Sequence, residues 1–331
     1  MNLKNALTSR SSVIKVGLTI GDPSGIGPAI TAKAVRQLEG FAKFTIIGSG
    51  FALRKSSPSV RPGLSGSTLI DIDNLNHTKF SFGKVKAEYG KASIEYLNQA
   101  IALLLKGKLD CLVTGPISKE AVNLAGFKIS GHTGYLSSKC NSPDTVMLLL
   151  NDRLKFCLLS QHIPLKNVAN FLNRRKIEKT IQLAASGLKE LFLIQHPRFA
   201  VCGLNPHASD NGVIGDEEKN VIIPAIKHLK EKFKGASISG PFSADAAIYK
   251  AYHRGFDCVV AAYHDQALIP LKLTGFESGV NLTLGLPFVR TSPLHGTAFD
   301  IAPNCAKLAD PSSMVAAIKL AVKCTQNLRK A

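Results

Sequence analysis

Three of the nine histidines, His162, His207 and His264, each follow an apolar strand-like run directly, at 156–161, 201–206 and 259–263. Open α/β folds collect their chemistry at strand ends, where loops are free to carry polar side chains. Three imidazoles converging there suit a divalent metal of borderline softness, with positions left open for a substrate oxygen or nitrogen, as in a catalytic rather than a structural site. A single such histidine serves equally well to cap a strand or complete a local hydrogen bond, so spacing alone leaves both readings open. Asp265 stands beside His264, and Asp245 closes the segment Gly240-Pro241-Phe242-Ser243-Ala244-Asp245. Either carboxylate could orient an imidazole or adjust metal-bound groups. Either could also start a helix, as Asp245 before Ala246-Ala247-Ile248 would.

A second set of residues is suited to anions: Gly131-His132-Thr133-Gly134 at the start of a helical stretch, then Lys272, Asn281 and Arg290. Helix N-termini present free N–H groups, and an arginine fork matches phosphate. Lys272 alone reads as a solvated surface lysine, whereas Arg290, followed by Thr291-Ser292-Pro293, is harder to dismiss. The chain as a whole favours anionic ligands, with 41 Lys and Arg against 23 Asp and Glu, a formal net charge of +18. Basic clusters at Arg174-Arg175-Lys176 and 227–234 lie on helical stretches without interleaved aromatics. With 7% aromatic residues and no Trp, they read as solvated faces and argue against nucleic acid.

The elements that must hold these residues are those of an α/β protein. Its 331 residues, 45% of them hydrophobic, suffice for two globular units with real cores. Residues 16–20 form an apolar run that breaks into Gly21-Asp22-Pro23-Ser24-Gly25-Ile26-Gly27-Pro28 before the helical composition of 29–38. That is strand, glycine loop, helix. Strands at 44–47 and 111–114 and a helix at 90–105 continue the alternation that parallel strands require. Two apolar runs, 145–150 and 153–160, flank little more than Asn151-Asp152, which predicts an antiparallel hairpin. A helix at 177–193 and a strand at 199–204 follow, the segments 221–233, Ile238, 244–252 and 258–262 continue the α/β alternation, and a last helix at 311–328 completes the pattern. Seven scattered cysteines, with no Cys-x-x-Cys, read as reduced cytosolic thiols. No run approaches the roughly 18 apolar residues of a membrane span, so a soluble cytoplasmic protein without an export signal is expected. Gly21, Gly25 and Gly27 have the wrong spacing for a Rossmann fingerprint.

Taken together, six motifs resemble the 4-hydroxythreonine-4-phosphate dehydrogenases of pyridoxal phosphate biosynthesis. They are the segment from Thr19 to Pro28, Thr114-Gly115-Pro116-Ile117-Ser118-Lys119, Gly131-His132-Thr133, Asn205-Pro206-His207-Ala208, Tyr263-His264-Asp265-Gln266 and Arg290-Thr291-Ser292. The resemblance runs from about residue 16 to residue 303. It implies two α/β/α domains flanking a cleft, as in isocitrate and isopropylmalate dehydrogenases. Residues 1–126 and 300–331 would form the first, and 127–299 the second, with the metal and dimer-forming elements. It implies a homodimer whose active site lies at the subunit interface, and one divalent ion (Zn, Mg or Co) on His162, His207 and His264. The phosphorylated substrate would contact His132, Thr133, Lys272, Asn281 and Arg290. His295, Gly296, Thr297 and Asp300 lie in a stretch resembling the one that such dehydrogenases use for NAD or NADP. Three departures stand out: Ala29 where the family usually has Glu, Leu294 where an acidic residue is common, and Ala302-Pro303-Asn304-Cys305-Ala306-Lys307 where a glycine-rich continuation would let the backbone approach the cofactor.

The implied reaction is metal- and NAD-dependent oxidation of 4-phosphooxy-threonine to 2-amino-3-oxo-4-phosphooxybutanoate. That β-keto acid then decarboxylates to 3-amino-1-hydroxyacetone 1-phosphate. Lys272, Asp245 and Asp265 acting through water are the candidate catalytic bases, and the sequence does not choose among them. The alternatives are a sibling dehydrogenase of D-threonate or D-erythronate 4-phosphate, and a non-catalytic anion or nucleic-acid binder on the same scaffold.

Overall fold

Among the residues described by the computed structural model, 13–58, 66–129 and 131–330, eleven strands follow one another. They are β1 (Lys15–Thr19), β2 (Lys43–Gly48), β3 (Thr68–Asp71), β4 (Cys111–Thr114), β5 (Val146–Leu150), β6 (Lys155–Leu158), β7 (Arg198–Cys202), β8 (Ser237–Phe242), β9 (Cys258–Ala261), β10 (Val280–Leu284) and β11 (Val289–Pro293). The α/β class expected from the alternation is the class observed. The chain forms two compact units, one of the described residues up to Asn141 and from Leu286 onward, the other Ser142–Gly285. These divisions fall at 141/142 and 285/286, where the resemblance implied 126/127 and 299/300. The helix His132–Lys139 belongs with the first unit because Tyr135 donates its hydroxyl to Asn98, at 2.6 Å. β11 belongs there because it pairs with β4.

In the first unit the strands run β3-β2-β1-β4-β11, all parallel. The inner ones are buried on both faces, hence their nearly unbroken apolar runs. Between β1 and the helix Gly27–Gln37 the backbone doubles back so tightly that a Cβ on Gly21 (φ +73°) would lie 2.2 Å from the Pro116 carbonyl oxygen. Only glycine fits there. Ala29, where the family usually carries Glu, is fully buried in that helix's first turn, a place where a carboxylate would have to be desolvated. The helix Ser312–Leu328 packs on β4 and β11. Its end is held by the ion pair of Arg329 with the buried Asp110, which also accepts from the Lys15 amide.

The second unit runs β10-β5-β6-β9-β7-β8. β10, β5 and β6 are antiparallel neighbours, and β6, β9, β7 and β8 are parallel ones. The expected hairpin is β5–β6. Its turn is built by Asn151, whose side-chain oxygen accepts from the amides of Arg153 (2.9 Å) and Leu154 (2.8 Å). The helix Arg174–Phe192 is capped by the Asn173 side chain on the Lys176 amide, and it buries Ile177, Ile181, Ala184 and Leu188 at helical spacing. Truncating Leu188, which is fully buried, to alanine would cost about 2–5 kcal/mol.

Candidate active site

Four consecutive parallel strands of the second unit end on the same edge, and each delivers one of the singled-out residues. His162 follows β6, His264 follows β9, His207 follows β7 and Asp245 follows β8. The rings of His162 and His264 lie 5.5 Å apart, centroid to centroid, and both line a cavity of about 290 Å³ with Ser160, Tyr263 and Asp265. His264 Nδ1 is 2.6 Å from the Asp265 carboxylate. A carboxylate so placed fixes the ring and leaves Nε2 to serve as a ligand. Asp265 therefore sits as an orienting group on His264.

His207 is carried differently. Its segment, Pro206–Gly212, holds five successive non-glycine residues, His207 to Asn211, at φ between +46° and +65°. Left-handed backbone costs L-residues about 1–2 kcal/mol each, so the packing around this turn must hold it in place. Buried Glu218 does much of that. It accepts from the amides of Leu204 (2.7 Å) and Asn205 (2.8 Å) with one oxygen and from the Asn205 side chain (2.9 Å) with the other. Burial pushes the Glu218 carboxyl up, but the Asn205 and Leu204 donors outweigh it and hold it below the usual carboxylate range. Asp245, in the first turn of the helix Ala244–Tyr252, accepts from the Ser243 hydroxyl. That contact, the Ala246 amide and the nearby His207 keep it ionised below its ordinary range. Among the described residues of a single chain, no three His, Cys, Asp or Glu side chains gather closely enough to hold a metal. The donor set nevertheless suits a borderline ion, with two exposed or half-exposed imidazoles on one cavity and a third beside a carboxylate. Lys272 is exposed on the helix His264–Gly275, its ammonium 5.7 Å from the Phe276 ring centroid. Asn281 lies on β10 opposite Leu149, with its side-chain oxygen sealed from solvent and unpartnered.

The anion candidates of the first unit are Arg290, His132 and Thr133. Arg290 on β11 is 1% exposed, and its guanidinium donates to the Thr114 hydroxyl at 2.6 Å. His132 and Thr133 open the helix His132–Lys139. His132 Nε2 is sealed from solvent without a partner. Burial, with Arg290 and Lys119 nearby, holds the His132 imidazole well below its usual range and hence neutral. The motifs around Thr114 and Lys119 drew attention in the sequence, but neither residue was singled out, because only folding brings them beside Arg290 and His132.

The stretch from His295 to Asp300 lies against the glycine loop. The Thr297 carbonyl accepts from the Ile26 amide at 2.9 Å, and a Cβ on Gly25 would lie 2.8 Å from that oxygen. His295 Nδ1 is 3.0 Å from the Gly296 carbonyl, and Gly296 faces open space. The replaced segment after it forms a short 3-10 turn, Ala302–Asn304, and the helix Cys305–Leu308. Lys33 ties down the segment's end by donating to the Ala309 carbonyl at 2.7 Å.

Comparison with known proteins shows the family. The family described as pyridoxal phosphate biosynthetic protein PdxA matches residues 28–321. A 4-hydroxythreonine-4-phosphate dehydrogenase of Sulfurihydrogenibium sp. (strain YO3AOP1) is 42% identical, covering 94% of this chain and 98% of its own. A D-threonate 4-phosphate dehydrogenase of Salmonella typhimurium is 38% identical, covering 93% of this chain and 98% of its own. Among solved structures, the 4-hydroxythreonine-4-phosphate dehydrogenase of Klebsiella pneumoniae superimposes with a TM-score of 0.82 at 35% identity, covering 96% of this chain and 100% of that one. The fold and the relatives define an α/β oxidoreductase. The chain belongs to the PdxA family. No described helix is long and apolar enough to cross a membrane.

Proposed function

We propose that the protein oxidises 4-phosphooxy-threonine, using NAD (or NADP) and one divalent ion, to 2-amino-3-oxo-4-phosphooxybutanoate, which loses carbon dioxide to give 3-amino-1-hydroxyacetone 1-phosphate. The observation that carries this reading is the row of four neighbouring strand ends supplying His162, His264, His207 and Asp245. An ion on the three histidines would lower the pKa of the hydroxyl to be oxidised, and the nicotinamide would take the hydride. The chain's own residues do the rest. Arg290, His132, Thr133, Lys272 and Asn281 bind and orient the phosphorylated acid, and His295, Gly296, Thr297 and Asp300 receive the dinucleotide. Asp265 and Asp245 stand close enough to His264 and His207 to move a proton through water, as Lys272 would from its own helix.

In this reading a second copy of the chain completes the metal site. Ile269, Leu273 and Phe276, spaced four and three residues apart on and just beyond the helix that His264 opens, are 60%, 83% and 49% exposed. An apolar stripe of this kind beside an incomplete ligand set suits an isologous partner. A second reading is supported by the Salmonella relative: oxidation of D-threonate 4-phosphate, in which a hydroxyl replaces the amine at carbon 2. NADH formation on the two acids, with added metal and with a chelator control, separates them. A higher kcat/KM on 4-phosphooxy-threonine, abolished by chelator, is expected. The reverse preference selects the sibling activity, and turnover of neither acid rejects both.

A further inference from the structure

We infer that Lys119 is a phosphate-contacting residue of the first unit, supplying, with Arg290, the two positive charges that a phosphate dianion requires. The inference rests on the phosphorylated-substrate reading above and names a residue to which that reading gave no role.

Lys119 follows β4 and the Ser118 side chain, which caps the helix Lys119–Leu124 by accepting from the Ala121 amide at 3.1 Å. From there its aliphatic stem passes over Gly131, where a Cβ would lie 3.5 Å from Lys119 Cε. Gly131 has φ +144° and directly precedes His132 and Thr133, so the ammonium is carried to the start of that helix. The side chain is exposed, and among the described residues its ammonium makes no hydrogen bond or ion pair. Lys119 and Arg290 both act on the same His132 imidazole, whose sealed Nε2 has no partner. Desolvation lowers the Lys119 pKa, as expected of a cation held against protein without a counter-charge.

The charge count selects the ligand. A phosphate monoester carries about −1.5 to −2 charges at pH 7, which matches two cations and a neutral imidazole. A carboxylate carries one charge and would leave one cation uncompensated. Arg290 is fixed by its bond to Thr114, whereas Lys119 rides on a flexible stem at the surface. Arg290 is thus the rigid fork and Lys119 the adaptable point charge.

The test compares wild type with Lys119→Met and Lys119→Arg, using inorganic phosphate in calorimetry, with acetate as the monoanionic control, and following the His132 imidazole by NMR. Lys119→Met is expected to bind phosphate about tenfold or more weakly, with its thermal midpoint and acetate response unchanged, and Lys119→Arg to stay near wild type. The His132 titration should move upward in Lys119→Met and stay put in Lys119→Arg, because a neighbouring cation has been removed only in the first. In turnover, KM for the phosphorylated acid should rise in the same ratio while kcat changes little. Wild-type phosphate affinity in Lys119→Met, a fixed His132 titration, or a loss confined to kcat would each overturn the inference. A wild-type protein that oxidises neither acid but binds phosphate through Lys119 would discard the substrate reading and retain this one.

Discussion

The anion-binding group of the first unit and the histidine edge of the second are built to different standards. Arg290 is almost wholly buried, bonded to Thr114 and near enough to the sealed His132 imidazole to depress its pKa, so one chain holds the fixed part of the proposed anion cradle. At the other edge, His162 and His207 are exposed, two rings share a cavity and the third rides on a strained turn. Strand ends alone bring the right side chains to one edge without bringing them to one point. The difference teaches that the groups proposed to take the phosphate are already fixed within one chain, whereas the proposed metal site would need a second copy to complete it.

Breaking the histidine edge should have the largest effect. Replacing His207 with alanine removes a proposed ligand, and activity is expected to fall by more than about 100-fold, since even groups that merely orient ligands cost 10–100-fold. Metal content should fall in parallel while circular dichroism is unchanged. Full activity in that variant would refute the assignment. Breaking the cradle should be milder and of a different kind: Arg290→Ala is expected to raise KM about 10–100-fold, the scale of a lost charge-assisted hydrogen bond, with a smaller change in kcat. An unchanged KM would remove Arg290 from phosphate binding.

Two stability measurements sharpen the comparison. Burial raises the Asp22 carboxyl, in the glycine loop, to about 7. A folded-state pKa raised above the unfolded value gives stability that is complete below about pH 4 and lost as pH rises through about 7. Asp22→Asn should therefore gain stability over wild type between pH 5 and 8, by up to a few kcal/mol in denaturant titrations. A pH-independent difference would contradict this. On the histidine edge, Glu218→Gln should cost about 1–3 kcal/mol: the amide oxygen can still accept from the Leu204 and Asn205 amides, but an NH2 replaces the acceptor that faces the Asn205 side-chain donor, and the charge is lost. Glu218 is held below its ordinary range, so this contribution is present above about pH 4.5 and fades as the carboxylate protonates. An unfolding free energy equal to that of wild type would show that the strained turn is held by other contacts.

Much of this was legible in the sequence because it is local. The hairpin at Asn151-Asp152, the strand at Cys111–Thr114 and the helix opened by His132 follow from apolar periodicity and turn chemistry, and the structure places each where the pattern does. What was not legible depends on contacts distant in the chain. Glu218 reaches back to Leu204 and Asn205, Lys119 reaches Gly131, and Arg290 finds Thr114, 176 residues away. None of these pairings leaves a periodic signal. The left-handed run at His207 to Asn211 was equally invisible, since it contains no glycine to announce positive φ.

The proposal that two chains share the metal ligands is tested most directly by mixing chains. The three variants His162→Ala, His207→Ala and His264→Ala are each purified and then combined in pairs under conditions that exchange subunits. If two chains share the ligands, at least one pair should recover about a quarter of wild-type activity, because half of the dimers then carry one intact site of two. Inactivity of every pair, with dimer exchange confirmed by mass, would show that a single chain holds the whole ligand set and would contradict the account.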